Sequence, residues 1–123
     1  MTDLGNYVED LVADWLGDNG TPTAITSVNV KLHLGDPGDS GTSNAAVETT
    51  RKDAAFDAAS GGVIALTTTL SWTNVSNSET YTWVSVWDNI TAGNHLWNAV
   101  MASGVAVTAT DDFDLTALTL TIT

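Results

Sequence analysis

A chain of 123 residues has room for one hydrophobic core, and its 43% apolar content, spread along the whole length, is enough to fill it. Fifteen carboxylates against three basic residues, Lys31, Arg51 and Lys52, give a formal charge of −12, which repels phosphate backbones and disfavours nucleic acid as a partner. Cysteine is absent, Met1 to Asn6 lack the basic region of a cleaved signal, and no apolar run approaches the roughly 18 residues of a membrane span.

Near the start, Leu4, Tyr7, Val8, Leu11, Val12, Trp15 and Leu16 recur at helical spacing while Glu9, Asp10 and Asp14 fall elsewhere on the wheel. This predicts one amphipathic helix over roughly residues 3–16, capped by Thr2 or Asp3 and stopped at Gly17 or the Asn19-Gly20 pair. Tyr7, Leu11 and Trp15 are its candidate contact residues. Its acidic polar face would be repelled by anionic lipid, so core packing or subunit contact is expected rather than membrane binding.

The period then changes to two. Val28, Val30, Leu32 and Leu34 alternate with Asn29, Lys31 and His33, which predicts a half-buried strand. Alternation returns over Ile64–Trp72, over Tyr81–Trp87, over Leu96–Val100, at Val105 and Val107, and over Leu118–Ile122. Turn-rich clusters at 35–44, 60–62, 74–80, 88–94 and 110–114 separate these runs. Twenty threonines suit the wet faces of sheets. The fold class expected is mostly β, an antiparallel β-sandwich with one N-terminal helix, in a single domain over 1–123 with the sandwich occupying 25–123. The segment from Asp36 to Asn44 is the longest loop and is expected to be a surface arm.

Chemistry is sparse. His33 and His95 are the only histidines, neither sits in a catalytic motif, and both are expected to be exposed or partly packed. No nucleophile elbow or phosphate-binding loop occurs, so no enzyme activity and no cofactor are expected. Asp36 with Asp39, and Asp111, Asp112 and Asp114, hold carboxylates close enough to consider Ca²⁺, but without EF-hand spacing they read more simply as turn residues. Five tryptophans are many for this length. Trp83 and Trp87 share a strand face with Tyr81, and with Trp97 they are either core filling or, if wet, candidates for a subunit contact or a host-surface glycan.

The run Leu32-His33-Leu34-Gly35-Asp36-Pro37-Gly38-Asp39-Ser40-Gly41-Thr42-Ser43-Asn44, followed by Glu48 and Arg51, resembles a family of small tailed-phage virion proteins. Its members are called tail fibre, minor tail or head decoration proteins. Phe56, Ala58–Gly62, Val84–Asp88 and Gly93-Asn94-His95-Leu96 follow in the same order, although Thr49-Thr50 replaces an aromatic and Ala109–Asp112 replaces a Gly-Asp turn. The resemblance implies a helix followed by a β-sandwich, and membership of the virion at the capsid surface or the tail. A capsid decoration or turret protein is the first expectation, and a tail fibre or adaptor subunit the alternative. The partners implied are further copies in a symmetric homo-oligomer, and the major capsid protein or tail proteins.

Fifteen carboxylates repel one another less where salt screens them, since the Debye length is about 3 Å at 1 M. A virus of a halophile is therefore expected, the other reading being that acidity simply maintains solubility.

Overall fold

A computed structural model describes residues 4–122. Helix α1 spans Asn6–Leu16, and eight strands follow: β1 Asn29–His33, β2 Lys52–Asp53, β3 Val63–Ala65, β4 Leu70–Trp72, β5 Glu79–Trp87, β6 His95–Val107, β7 Phe113–Leu115 and β8 Thr119–Thr121. The fold is the mostly β class expected, with antiparallel pairing throughout.

The helix begins later than its periodicity suggests. Leu4 is held extended opposite Trp97, and the Gly5 amide donates to the Leu96 carbonyl at 2.8 Å. Gly5, with φ −74° and ψ 150°, is therefore the N-cap, and it offers no side-chain oxygen. Thr2 and Asp3, the expected caps, lie outside the described residues. At the other end Asp18, with φ 60°, takes the left-handed position expected of Gly17 or Asn19-Gly20, and the Asn19 amide closes the turn on the Asp14 carbonyl at 2.8 Å.

The main sheet runs β2-β1-β5-β6, and two short ladders, β3-β8 and β4-β7, form the second layer. The Ile64–Trp72 run is thus two strands, because β3 pairs with β8 while β4 pairs with β7. Between them Thr67 stays exposed, its amide donating to the Ala55 carbonyl at 2.9 Å. Phe113 and Asp114, expected in a turn, belong to β7. The Val100 and Val105 ends of β6 pair with Trp83 and Tyr81, which leaves Met101–Gly104 as a bulge between two paired stretches.

The core lies between the layers. Val30 and Leu32 of β1, Val84 and Val86 of β5 and Trp97 of β6 face Leu70, Trp72, Phe113, Leu115 and Leu120. The bulge re-aims Tyr81 into this core, where its ring lies 5.3 Å from Phe113, so Tyr81 does not share a face with Trp83 and Trp87 as simple alternation predicts. Trp72 stacks on Phe113 at 5.8 Å and donates its indole N–H to the Thr50 carbonyl at 2.8 Å, which satisfies its one polar atom.

Candidate functional site: a sealed polar face and an open helix

The face of β1, β5 and β6 turned away from the core carries Asn29, Lys31, His33, Trp83, Ser85, Trp87, His95 and Asn98. Alternation assigns such a face to solvent. Instead His33 and Ser85 are 0% exposed, His95 6% and Asn98 3%. The cover is the 36–44 segment, which folds back along the sheet and is not a protruding arm. The Leu34 amide donates to the Asn44 carbonyl and the Ala46 amide to the Leu32 carbonyl, which returns the chain beside β1.

Three polar side chains grip this segment through its own carbonyls. The Asn98 amide donates to Gly38 O at 2.8 Å, and His95 Nδ1 contacts Asp39 O at 3.1 Å. His33 Nδ1 lies 2.8 Å from Ser43 O. A carbonyl only accepts, so His33 carries its proton on Nδ1 and accepts a hydrogen bond from the Ser85 hydroxyl at Nε2, 2.7 Å away. Ser85 Oγ accepts in turn from the Trp87 indole N–H at 2.8 Å. Burial pushes the His33 imidazole below its ordinary range, against the opposing pull of the Ser43 carbonyl, and the charges of Lys31 and His95 act in the same direction as burial. The neutral ring that results suits the acceptor role of Nε2.

Glycine is required where the cover is tightest. Gly41, at φ +70°, would place a Cβ 2.4 Å from the His95 ring, and Gly5 would place one 2.5 Å from His95 Nδ1. His95 thus packs between two backbones, one from the N-terminal segment and one from the loop. The Asp36-Pro37-Gly38 turn forms as its sequence predicts, with Gly38 at φ 73° and its amide donating to Asp36 Oδ1 at 2.9 Å.

Trp87 lies 5.3 Å from the His95 ring, and the Arg51 guanidinium sits 4.1 Å from its centroid. Arg51 also donates to the carbonyls of Asn89 and Ala92, at 2.9 and 2.6 Å, and so ties down the turn after β5. Among the tryptophans proposed for glycan or subunit contact, Trp87 is 8% and Trp97 4% exposed, and Trp83 is half-buried. Of the two readings of these tryptophans, core filling describes Trp87 and Trp97, which the 36–44 loop and the second layer cover from opposite faces, while Trp83 keeps part of its ring in solvent.

The Ser85–His33 contact joins hydroxyl to imidazole as a nucleophile and base would, but neither group is accessible, and its geometry braces the sheet to the loop. Three of the carboxylates weighed for Ca²⁺ serve turns: Asp36 Oδ1 accepts from the Gly38 amide, Asp111 Oδ2 from the Thr108 amide and Asp112 Oδ1 from the Asn74 amide, at 2.9, 2.9 and 2.8 Å. Among the described residues no three acidic or histidine side chains converge.

Helix α1 carries an open apolar surface. Tyr7 and Val8 pack against the core, but no α1 residue is fully buried, and Trp15 and Leu16 are 58% and 76% exposed. Leu11 and Val12, between them, are half-buried. A separate open groove of about 430 Å³ runs between the β6 bulge and β7–β8, lined by Met101, Val105, Phe113, Leu115 and Leu118 and bordered by Asp114.

Ser85, Asn98, Gly5 and Gly41 were not singled out by sequence reasoning. A signal for them exists in β5, where Tyr81–Trp87 carries only Thr82 and Ser85 as polar residues. So nearly continuous an apolar run belongs to a strand covered on both faces.

From residue 3 to residue 123 the chain matches the family model of the podophage GP4 fiber I protein gp80, and it belongs to that family. It is therefore a virion structural protein of the tailed-phage type. No curated protein matches it.

Proposed function

We propose that this family member is a tail-associated fibre subunit with a purely structural role. The single observation behind the tail assignment is the family match over nearly the full length to a protein named as a fibre. That name supports the tail alternative ahead of capsid decoration. The structural role is supported by the burial of the Ser85–His33 contact, whose atoms are committed to bracing. The glycan reading is left with Trp83, since Trp87 and Trp97 are interior. The charge of −12 further suggests a virion exposed to concentrated salt.

Quantitative mass spectrometry of purified virions, with heads and tails separated, tests the assignment. A few copies per particle fractionating with tails is the expected result. Copy numbers in the tens to hundreds fractionating with heads would replace it with the capsid-decoration reading.

A further inference from the structure

The second half of α1 leaves Trp15 and Leu16 largely exposed, and the charges around them restrict what can cover them. On the helical wheel Leu11, Trp15 and Leu16 fall in one arc, with Asp10 and Asp14 along one border and Glu9 along the other. A second copy is a poor occupant. The chain has only Lys31, Arg51 and Lys52 as bases, and Arg51 is engaged with Trp87 and the Asn89 and Ala92 carbonyls. Its own groove beside the β6 bulge is bordered by Asp114 and contains no base, so it would repel an acid-flanked helix.

From this charge pattern we infer that α1 inserts its Leu11–Trp15–Leu16 side into a different virion protein, at an apolar groove whose two rims carry Lys or Arg. The inference rests on the virion-fibre reading and names its docking element. Exposed aromatic and leucine side chains supply the apolar anchors of a helix-in-groove contact, and the flanking carboxylates set its orientation and exclude acidic partners. Because Trp15 and Leu16 make little contact with the body of the molecule, they can be replaced without disturbing it.

The test adds purified full-length protein back to virions grown without it and measures occupancy against concentration. Wild-type protein should bind saturably. The Trp15→Ser/Leu16→Ser double variant, with an unchanged circular dichroism spectrum and melting temperature, should need at least tenfold more protein for half occupancy. The Asp10→Lys/Asp14→Lys variant should lose a similar factor at low salt, and less in 1 M KCl. Failure of wild-type protein to bind would remove the virion-fibre reading itself. Wild-type binding that both variants match would leave that reading standing and overturn the assignment to α1. Equal or tighter binding by the lysine variant would overturn the basic rim. Sedimentation showing a wild-type oligomer that Trp15→Ser/Leu16→Ser dissociates would make a second copy the occupant and refute the inference.

Discussion

Ser85→Ala removes one oxygen and strands two buried groups. The Trp87 indole N–H loses its acceptor at 2.8 Å, and His33 Nε2 loses the hydroxyl that donates to it at 2.7 Å. The surroundings are 0% exposed at His33 and Ser85, so water cannot substitute without displacing the loop. Each buried group left unsatisfied costs about 1–3 kcal/mol, so a loss of about 2–6 kcal/mol is expected. At roughly 3–5 °C per kcal/mol for a domain of this size, the melting temperature should fall by at least about 6 °C. Thermal melting at fixed pH and KCl, supported by urea titration, reads the change, with the exposed Ser76→Ala as the control. In a Trp87→Phe background one stranded group is already gone, and the Ser85→Ala cost should shrink by about its share. A Ser85→Ala penalty within about 0.5 kcal/mol of Ser76→Ala would refute the brace, since substitutions away from such features usually fall in that range.

Gly41→Ala should cost at least about 2 kcal/mol by urea titration, because it combines a positive φ with a Cβ placed 2.4 Å from the His95 ring; a neutral result would mean that the loop does not press on His95. Tyr81→Phe removes a buried hydroxyl that has no hydrogen-bond partner among the described residues, and should leave stability unchanged or raise it by up to about 1 kcal/mol; a clear fall in melting temperature would reveal a partner for that oxygen. His33 has a folded pKa below its unfolded value near 6.5, so its contribution is complete above that pH. As pH falls below about 6.5, the unfolded chain takes up a proton that the folded one refuses, and stability should drop by at most about 1.4 kcal/mol per pH unit. Melting in 1 M KCl, where carboxylate repulsion is screened, should show this slope in the wild type and lose it in His33→Gln. At pH 7.5 the melting temperature should also rise steeply with KCl as fifteen carboxylates are screened, and a flat profile would remove the case for a saline habitat.

The elements that sequence made legible are those whose signal is local. The 3.6-residue period located α1, the alternation of Val30 and Leu32 located β1, and Pro37-Gly38 located a turn that forms with the expected positive φ. What stayed hidden depends on a covering partner distant in sequence. Alternation separates His33 from Leu32 by face, but it cannot tell that a loop ten residues on will close the polar face. The β6 bulge is similar: nothing in Met101–Gly104 announces that these four residues face Thr82 alone, yet that mismatch turns Tyr81 into the core. The helix start moved for the same reason, because pairing of Leu4 with Trp97 overrides the helical preference of its neighbours. For the candidate site, Trp15 was found from its position on the wheel, whereas the burial of Trp87 and Trp97 depended on layers that a linear pattern does not display.

The manner in which the 36–44 segment is fastened separates its shape from its lettering. His33, His95 and Asn98 reach Ser43 O, Asp39 O and Gly38 O, atoms that every amino acid supplies, while Asp39, Ser40 and Thr42 point their side chains outward into solvent. Substitution at those three outward positions therefore leaves all three fastenings in place. A particle that meets changing surroundings can rewrite this stretch of its exterior without reopening the sheet beneath.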